Sequence, residues 1–169
     1  LMTLETGGAV DFKPRPLEGS PGEATSRKPQ ALLLDGQQRM TSLYQVALRG
    51  QVVETITPRK KRVKRWFYID IRKSLDAFSE REEAIIAVPD TKLLTEDFGR
   101  RTLLDLTSAE NEYKELMFPV SSVFDWDDWQ DGFSDYWRSD DNCDEMANLF
   151  RQFKNEVLKN FQTYQVPVI

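Results

Sequence analysis

An acid, a glycine, two amides and a guanidinium follow one another at Asp35, Gly36, Gln37, Gln38 and Arg39, where the apolar run "ALLLD" (31–35) hands over to an amphipathic stretch. That order of residue types suits an anion. The first backbone N–H groups of a helix lack internal partners and sit at the positive end of its dipole. Gly36 has no Cβ, so its backbone can approach a phosphate closely. Arg39, in the first turn, offers a forked, charge-assisted contact to phosphate oxygens. Asp35 could hold Mg²⁺, directly or through water, or could cap the helix. Gln37 and Gln38 could bond a phosphate, a base or an attacking water. The set fits recognition of a nucleoside triphosphate with Mg²⁺. Cleavage is the further step it would allow, since positioning and charge stabilisation carry most of phosphoryl-transfer catalysis. A plain structural reading stands beside this one: Asp is a favoured N-cap, Gly follows turns, and Gln and Arg are good surface helix residues.

A second chemistry-bearing run is "RKKRVKR" (59–65), which places Arg59, Lys60, Lys61, Arg62, Lys64 and Arg65 at a hairpin tip. A basic ribbon can grip DNA phosphates with salt-dependent affinity. It can also be a solvated hairpin whose lysines protect an edge strand. Asp125, Asp127, Asp128, Asp131 and Asp135 miss the spacing of a calcium loop, and acids in a first turn favour a helix start. Trp126, Trp129, Phe133, Tyr136 and Trp137 could stack on a flipped base, but at helical spacing they read as core. Cys143, in "DDNCDE", has acidic neighbours that disfavour a reactive thiolate.

The composition removes other chemistries. With no histidine, the chain cannot hold an HNH-type nuclease site, a His-ligated zinc or a Ser-His-Asp triad. Catalysis must run on carboxylates, amides, hydroxyls, Lys or Arg. A formal net charge of −5 argues against capture of nucleic acid by the surface as a whole, though not by a local basic site. One cysteine forms no internal disulfide, so a reducing, cytoplasmic setting is expected. The apolar runs fall short of the roughly 20 residues of a membrane helix, and no signal-peptide pattern opens the chain.

Positioning these groups falls to one α+β domain over 1–169, whose 40% hydrophobic content suits a single core. Residues 7–30, rich in Gly, Pro, Ser and charge, read as a long flexible loop within it, most mobile around 18–28. "ALLLD" reads as a buried strand. The helix after it carries Met40, Leu43, Tyr44 and Ala47 on one face and stops at Gly50 as a C′ glycine. "QVVETI" (51–56) and "VKRWFYIDI" (63–71) form a hairpin about "TPRKKR" (57–62). A helix near 72–83, a strand at 84–89 and a helical region within 91–116 follow. Residues 118–138 read as a strand or turn leading into a short helix. From 143 to 162, Met146, Leu149, Phe150, Phe153, Val157, Leu158 and Phe161 make the widest helical stripe. The strand-like ends "LMTLET" (1–6) and "YQVPVI" (164–169) need neighbours to pair with, and so point to a piece of a longer protein.

"LLLDGQQRMTSLYQVALRG" resembles the strand, DGQQR-[LM]-T-[ST]-L, helix signature of the GmrSD-type family of modification-dependent (type IV) restriction and phage-defence proteins. Asp35 to Arg39 match throughout, and Thr41 and Leu43 continue the match. "FPVSSVFD" (118–125) looks like the family's P-L-x-x-L-F-D segment. "YQVPVI" looks like the strand before its F-x-R-I-N-T-x-G segment, which this chain lacks, as it lacks the family's aromatic opening motif. The resemblance implies a ParB/sulfiredoxin-like fold with a mixed small sheet. It implies a DGQQR site, with Thr41 beside it, that binds and in several members hydrolyses nucleotide, coupled to DNA restriction. The nuclease would then be a separate or C-terminal His-containing domain. The rival expectation is a non-enzymatic DNA-binding or modification-sensing module that uses the same motif and the 59–65 hairpin.

Overall fold

Nine residues of "RVKRWFYID" alternate their side chains between two faces, and that alternation organises the molecule. The computed structural model describes residues 2–6, 13–78 and 81–163. The chain begins with β1 (Met2–Glu5), β2 (Ala31–Asp35) and α1 (Gln37–Ala47), then β3 (Val53–Ile56), β4 (Arg62–Asp70) and α2 (Ile71–Leu75). Next come β5 (Ile85–Pro89), β6 (Leu93–Glu96), β7 (Arg101–Asp105), α3 (Ala109–Lys114) and β8 (Met117–Pro119). Three further helices close it: α4 (Asp127–Trp137), α5 (Cys143–Phe153) and α6 (Lys159–Thr163). The fold is α+β with small sheets. Every pairing among the described strands is antiparallel, where the sequence leads one to expect a mixed sheet.

β4 is the central strand. β3 pairs with its first half, Val53 opposite Arg65 and Ile56 opposite Arg62. β8 pairs with its end, Asp70 opposite Met117, and β5 runs along residues 65 to 69. One face of β4 sends Phe67 and Ile69 into the main core, with Phe118, Trp129, Phe133, Phe150 and Phe153. The other face sends Trp66 and Tyr68 into a second cluster with Val88 and Leu106. The aromatic run is core in part: Trp126, Trp129 and Phe133 are buried, Trp129 stacking on Phe133 at 5.2 Å between ring centroids, and Trp137 packs half-buried against them, but Tyr136 is exposed.

A buried carboxylate ties the second cluster to the helices. Glu112, 6% exposed, accepts from the Tyr68 hydroxyl at 2.8 Å, the Lys92 ammonium at 3.0 Å and the Trp129 indole at 3.3 Å. Three donors satisfy its two oxygens, which is what makes a buried charge tolerable. Lys92 also lies 5.5 Å from the Trp66 ring centroid and 5.8 Å from that of Tyr68. Burial, reinforced by the charge and hydrogen bond of Glu112, pushes the Tyr68 phenol far above its ordinary value.

Several elements differ from the sequence reading. β2 is not a buried strand: among the described residues it pairs with β1 alone, and Leu34 is 44% exposed. α1 ends at Ala47 with Leu48 as its cap, so Gly50, at φ +57°, lies beyond the C′ position. The expected helix at 72–83 is α2 and a 3₁₀ turn at Arg81–Ala84; Asp70 caps α2 through the Lys73 N–H, and Asp76 ends it in extended backbone. Within 91–116 a β6–β7 hairpin takes most of the expected helix, leaving α3. Its leucines fit either period, and pairing across the Asp97–Gly99 turn lets Leu104 and Leu106 pack on Tyr68 and Val88. The 143–162 helix is present, but a π-helical turn at Lys154–Leu158 interrupts it. Phe153 and Leu158, five residues apart, are both fully buried there, a spacing that a π turn accommodates. The 7–30 loop includes a 3₁₀ turn at Gly22–Thr25, and the Glu18 carbonyl accepts from the Gln45 amide at 3.2 Å. Residues 7–12 of that loop and the strand expected at 164–169 lie outside the described residues.

Candidate functional site: the β2–α1 joint and the basic ribbon

At the β2–α1 joint Gly36 occupies the N-cap position with φ +86° and ψ +15°, left-handed backbone that an L side chain would strain. The turn delivers the chain directly into α1: the Met40 N–H donates to the Gly36 carbonyl at 3.0 Å, closing the first helical bond. No side chain caps this helix, and its first turn holds no acid. The N–H groups of Gln37, Gln38 and Arg39 therefore precede the helical ladder without an intramolecular cap. Asp35 does not serve as the N-cap that the sequence allows. Its carboxylate instead accepts from the Arg39 guanidinium at 3.3 Å, one turn away, with the two side chains 70% and 72% exposed. The Gln37 amide donates to the Leu33 carbonyl at 3.1 Å, pinning strand to helix, and Gln38 is exposed.

Leu34, Asp35, Gly36, Gln37, Gln38 and Arg39 line one open hollow of about 420 Å³. Five of the predicted site residues thus converge, whereas Thr41 is half-buried on the next turn and does not line it. The donor set fits Mg²⁺ in one way. Asp35 is the sole carboxylate lining the hollow, and among the described residues no group of three metal-ligating side chains comes together. A Mg²⁺ ion held by one carboxylate needs phosphate oxygens and water for its remaining positions, as a nucleotide-bound ion has.

The basic run divides where the sequence suggests one cluster. The Thr57 N–H donates to the Lys61 carbonyl at 2.9 Å, and Lys60 turns at φ +60°, so Arg59, Lys60 and Lys61 form the exposed hairpin tip. Arg62, Lys64 and Arg65 belong to β4. Strand alternation puts Arg62 and Lys64 on the Trp66 face and half-buried Arg65 on the other. Arg62 also lies 3.8 Å from Glu54 of β3.

Sequence reasoning passed over Trp66 and Arg49 on this surface, and the Lys92–Glu112 pair beneath it. The period-two pattern of "RVKRW" was signal enough to place Arg62, Lys64 and Trp66 on one face. Nothing in "SAENEYK" marks Glu112 as buried, since the helix it starts carries acids at 110 and 112 alike. No family model, curated protein or solved structure matches the chain.

Proposed function

We propose that this chain is a nucleotide-binding domain of a bacterial DNA restriction or phage-defence protein, of the GmrSD type and ParB/sulfiredoxin-like fold that the DGQQR resemblance implies. One observation carries the reading: α1 starts at a left-handed glycine with its first turn uncapped and Arg39 beside the hollow. The N–H groups after Gly36 donate to the phosphates of a nucleoside triphosphate, and Mg²⁺ enters with them. The Arg39 guanidinium exchanges its exposed contact with Asp35 for phosphate oxygens, an exchange that costs little because an exposed pair contributes little. Asp35, released, holds water or the ion, and Gln37 or Gln38 orients the attacking water where hydrolysis occurs. On this reading an HNH-type nuclease centre belongs to a separate or C-terminal histidine-containing domain, because such a centre needs the histidine this chain lacks.

Calorimetric titration with ATP, GTP, CTP and UTP in the presence of Mg²⁺ tests this. The expected result is binding of at least one nucleotide, weakened about tenfold or more in Arg39→Ala, which loses a charge-assisted contact. Unchanged affinity in Arg39→Ala removes the site. A second reading, contact of the basic ribbon with DNA, is favoured by the exposed Arg59–Lys60–Lys61 tip. It predicts DNA affinity that falls steeply with salt and with neutralisation of the tip.

A further inference from the structure

A second concavity, larger than the one at the β2–α1 joint, lies at the foot of the basic ribbon. It measures about 850 Å³, a size that holds a nucleotide-sized ligand. Arg62, Lys64 and Trp66 of β4 line one side, Glu54 of β3 lies beside them, and Arg49 and Glu18 line it from beyond α1 and from the 13–30 segment. Arg62, Lys64 and Trp66 succeed one another at every second residue, so one sheet face presents two cations and then an aromatic ring, each step about 6.6 Å long. Trp66 is half-buried against the second cluster and also lines the hollow, and Lys92, which does not line it, lies 5.5 Å from its ring centroid.

An aromatic ring on a sheet face flanked by cations is a combination that takes an unpaired base: the ring stacks, and the cations follow the backbone. A duplex, whose bases are stacked on each other, offers a hollow of this kind nothing to stack. We infer that this hollow binds one unstacked nucleotide of a single-stranded DNA segment, its base on Trp66 and its phosphates on Arg62, Lys64 and Arg49. The site is separate from the Asp35–Arg39 hollow. It rests on the reading of the 59–65 ribbon as a nucleic-acid surface and gives that ribbon a ligand class. Glu54, 3.8 Å from Arg62, competes with phosphate for the guanidinium and sets an upper bound on affinity.

The test uses the whole chain and a short fluorescein-labelled oligodeoxythymidylate, with a duplex and an RNA strand of the same length beside it. The single DNA strand binds more tightly than the duplex and quenches tryptophan emission. Trp66→Leu weakens binding about tenfold, as loss of one base–aromatic stack does, and abolishes the quench, because the other three tryptophans belong to the helical core. Lys64→Ala, at an exposed position, weakens binding without touching the core that Trp66 helps to pack. Glu54→Gln tightens it. Duplex binding as tight as single-strand binding, lost on neutralising Arg59, Lys60 and Lys61 but unchanged in Trp66→Leu and Lys64→Ala, overturns the hollow and leaves the ribbon reading standing. Absence of binding to either DNA form overturns both. Tighter binding of the RNA strand overturns the assignment to DNA.

Discussion

Asp35–Arg39 and Glu112–Lys92 are each a carboxylate beside a cation, at 3.3 and 3.0 Å, in opposite surroundings. Asp35 and Arg39 are 70% and 72% exposed and have each other. The Glu112 side chain is 8% exposed, and Lys92, Tyr68 and Trp129 all donate to it. Water screens the first pair, so its loss leaves the fold nearly unchanged. In the second the carboxylate is buried although Lys92 keeps 32% of its side chain exposed, so removing Glu112 strands its donors and removing a donor leaves a buried charge less well satisfied. Distance alone does not separate a site from a strut; desolvation does. The exposed pair can trade partners with a ligand at little cost to the fold, whereas the buried one is held by every group around it.

Glu112→Ala is the largest perturbation this comparison predicts. It leaves the Tyr68 hydroxyl, the Trp129 indole N–H and the Lys92 ammonium without their common acceptor, and should destabilise the fold by about 3–5 kcal/mol. Urea unfolding followed by tryptophan emission measures it. A loss below about 1 kcal/mol would mean that water enters the network and that the two pairs are alike after all.

Tyr68→Phe removes one donor while keeping the ring in place among Val88 and Leu106, and should cost about 1–3 kcal/mol. It also has a pH signature. The folded phenol is held, by burial first and then by Glu112, far above its ordinary value of 10.0. The folded state therefore keeps a proton that the unfolded chain releases. That contribution is fully present below pH 10 and is lost progressively as pH rises beyond it. Melting temperatures of the wild-type chain should fall above that pH more steeply than those of Tyr68→Phe. Parallel curves would detach Tyr68 from the buried network.

How far the sequence disclosed this molecule follows the same division. α4 and the stripe of α5 were legible because each repeats an apolar pattern at the helical period, β4 because "WFYI" is an aromatic and β-branched run, and Trp126, Trp129 and Phe133 because their helical spacing reads as core, which Tyr136 shares without being buried. The turn at Asp35–Arg39 was legible because glycine and a helix start are local features. The β6–β7 hairpin was not, since "LLTEDFGRRTLLD" satisfies both periods and only contact with Tyr68 and Val88 decides between them. β2 looked buried because four apolar residues stand together, yet what covers a strand is a matter of neighbours rather than of its own composition. Glu112 was invisible for the same reason: its partners lie 20, 44 and 17 residues away.

The smallest effect on stability should come from the pair at the candidate site, and it sharpens the comparison most. Arg39→Ala removes an exposed i,i+4 contact, and Asp35→Ala removes the same contact from its other end. Each should shift unfolding by no more than about 0.5 kcal/mol. Their effects on ligand binding should then part company. Arg39→Ala takes away the guanidinium proposed to hold phosphate, and affinity for nucleotide should drop. Asp35→Ala takes away the carboxylate that competes with phosphate for that guanidinium, so affinity for nucleotide without Mg²⁺ should hold or rise, while the gain on adding Mg²⁺ shrinks. Opposite signs in the metal-free titration, on an equally stable fold, are what a pair poised to exchange partners requires. Equal losses in both variants would make Asp35 and Arg39 a structural clip on the turn, an exposed counterpart of the strut at Glu112.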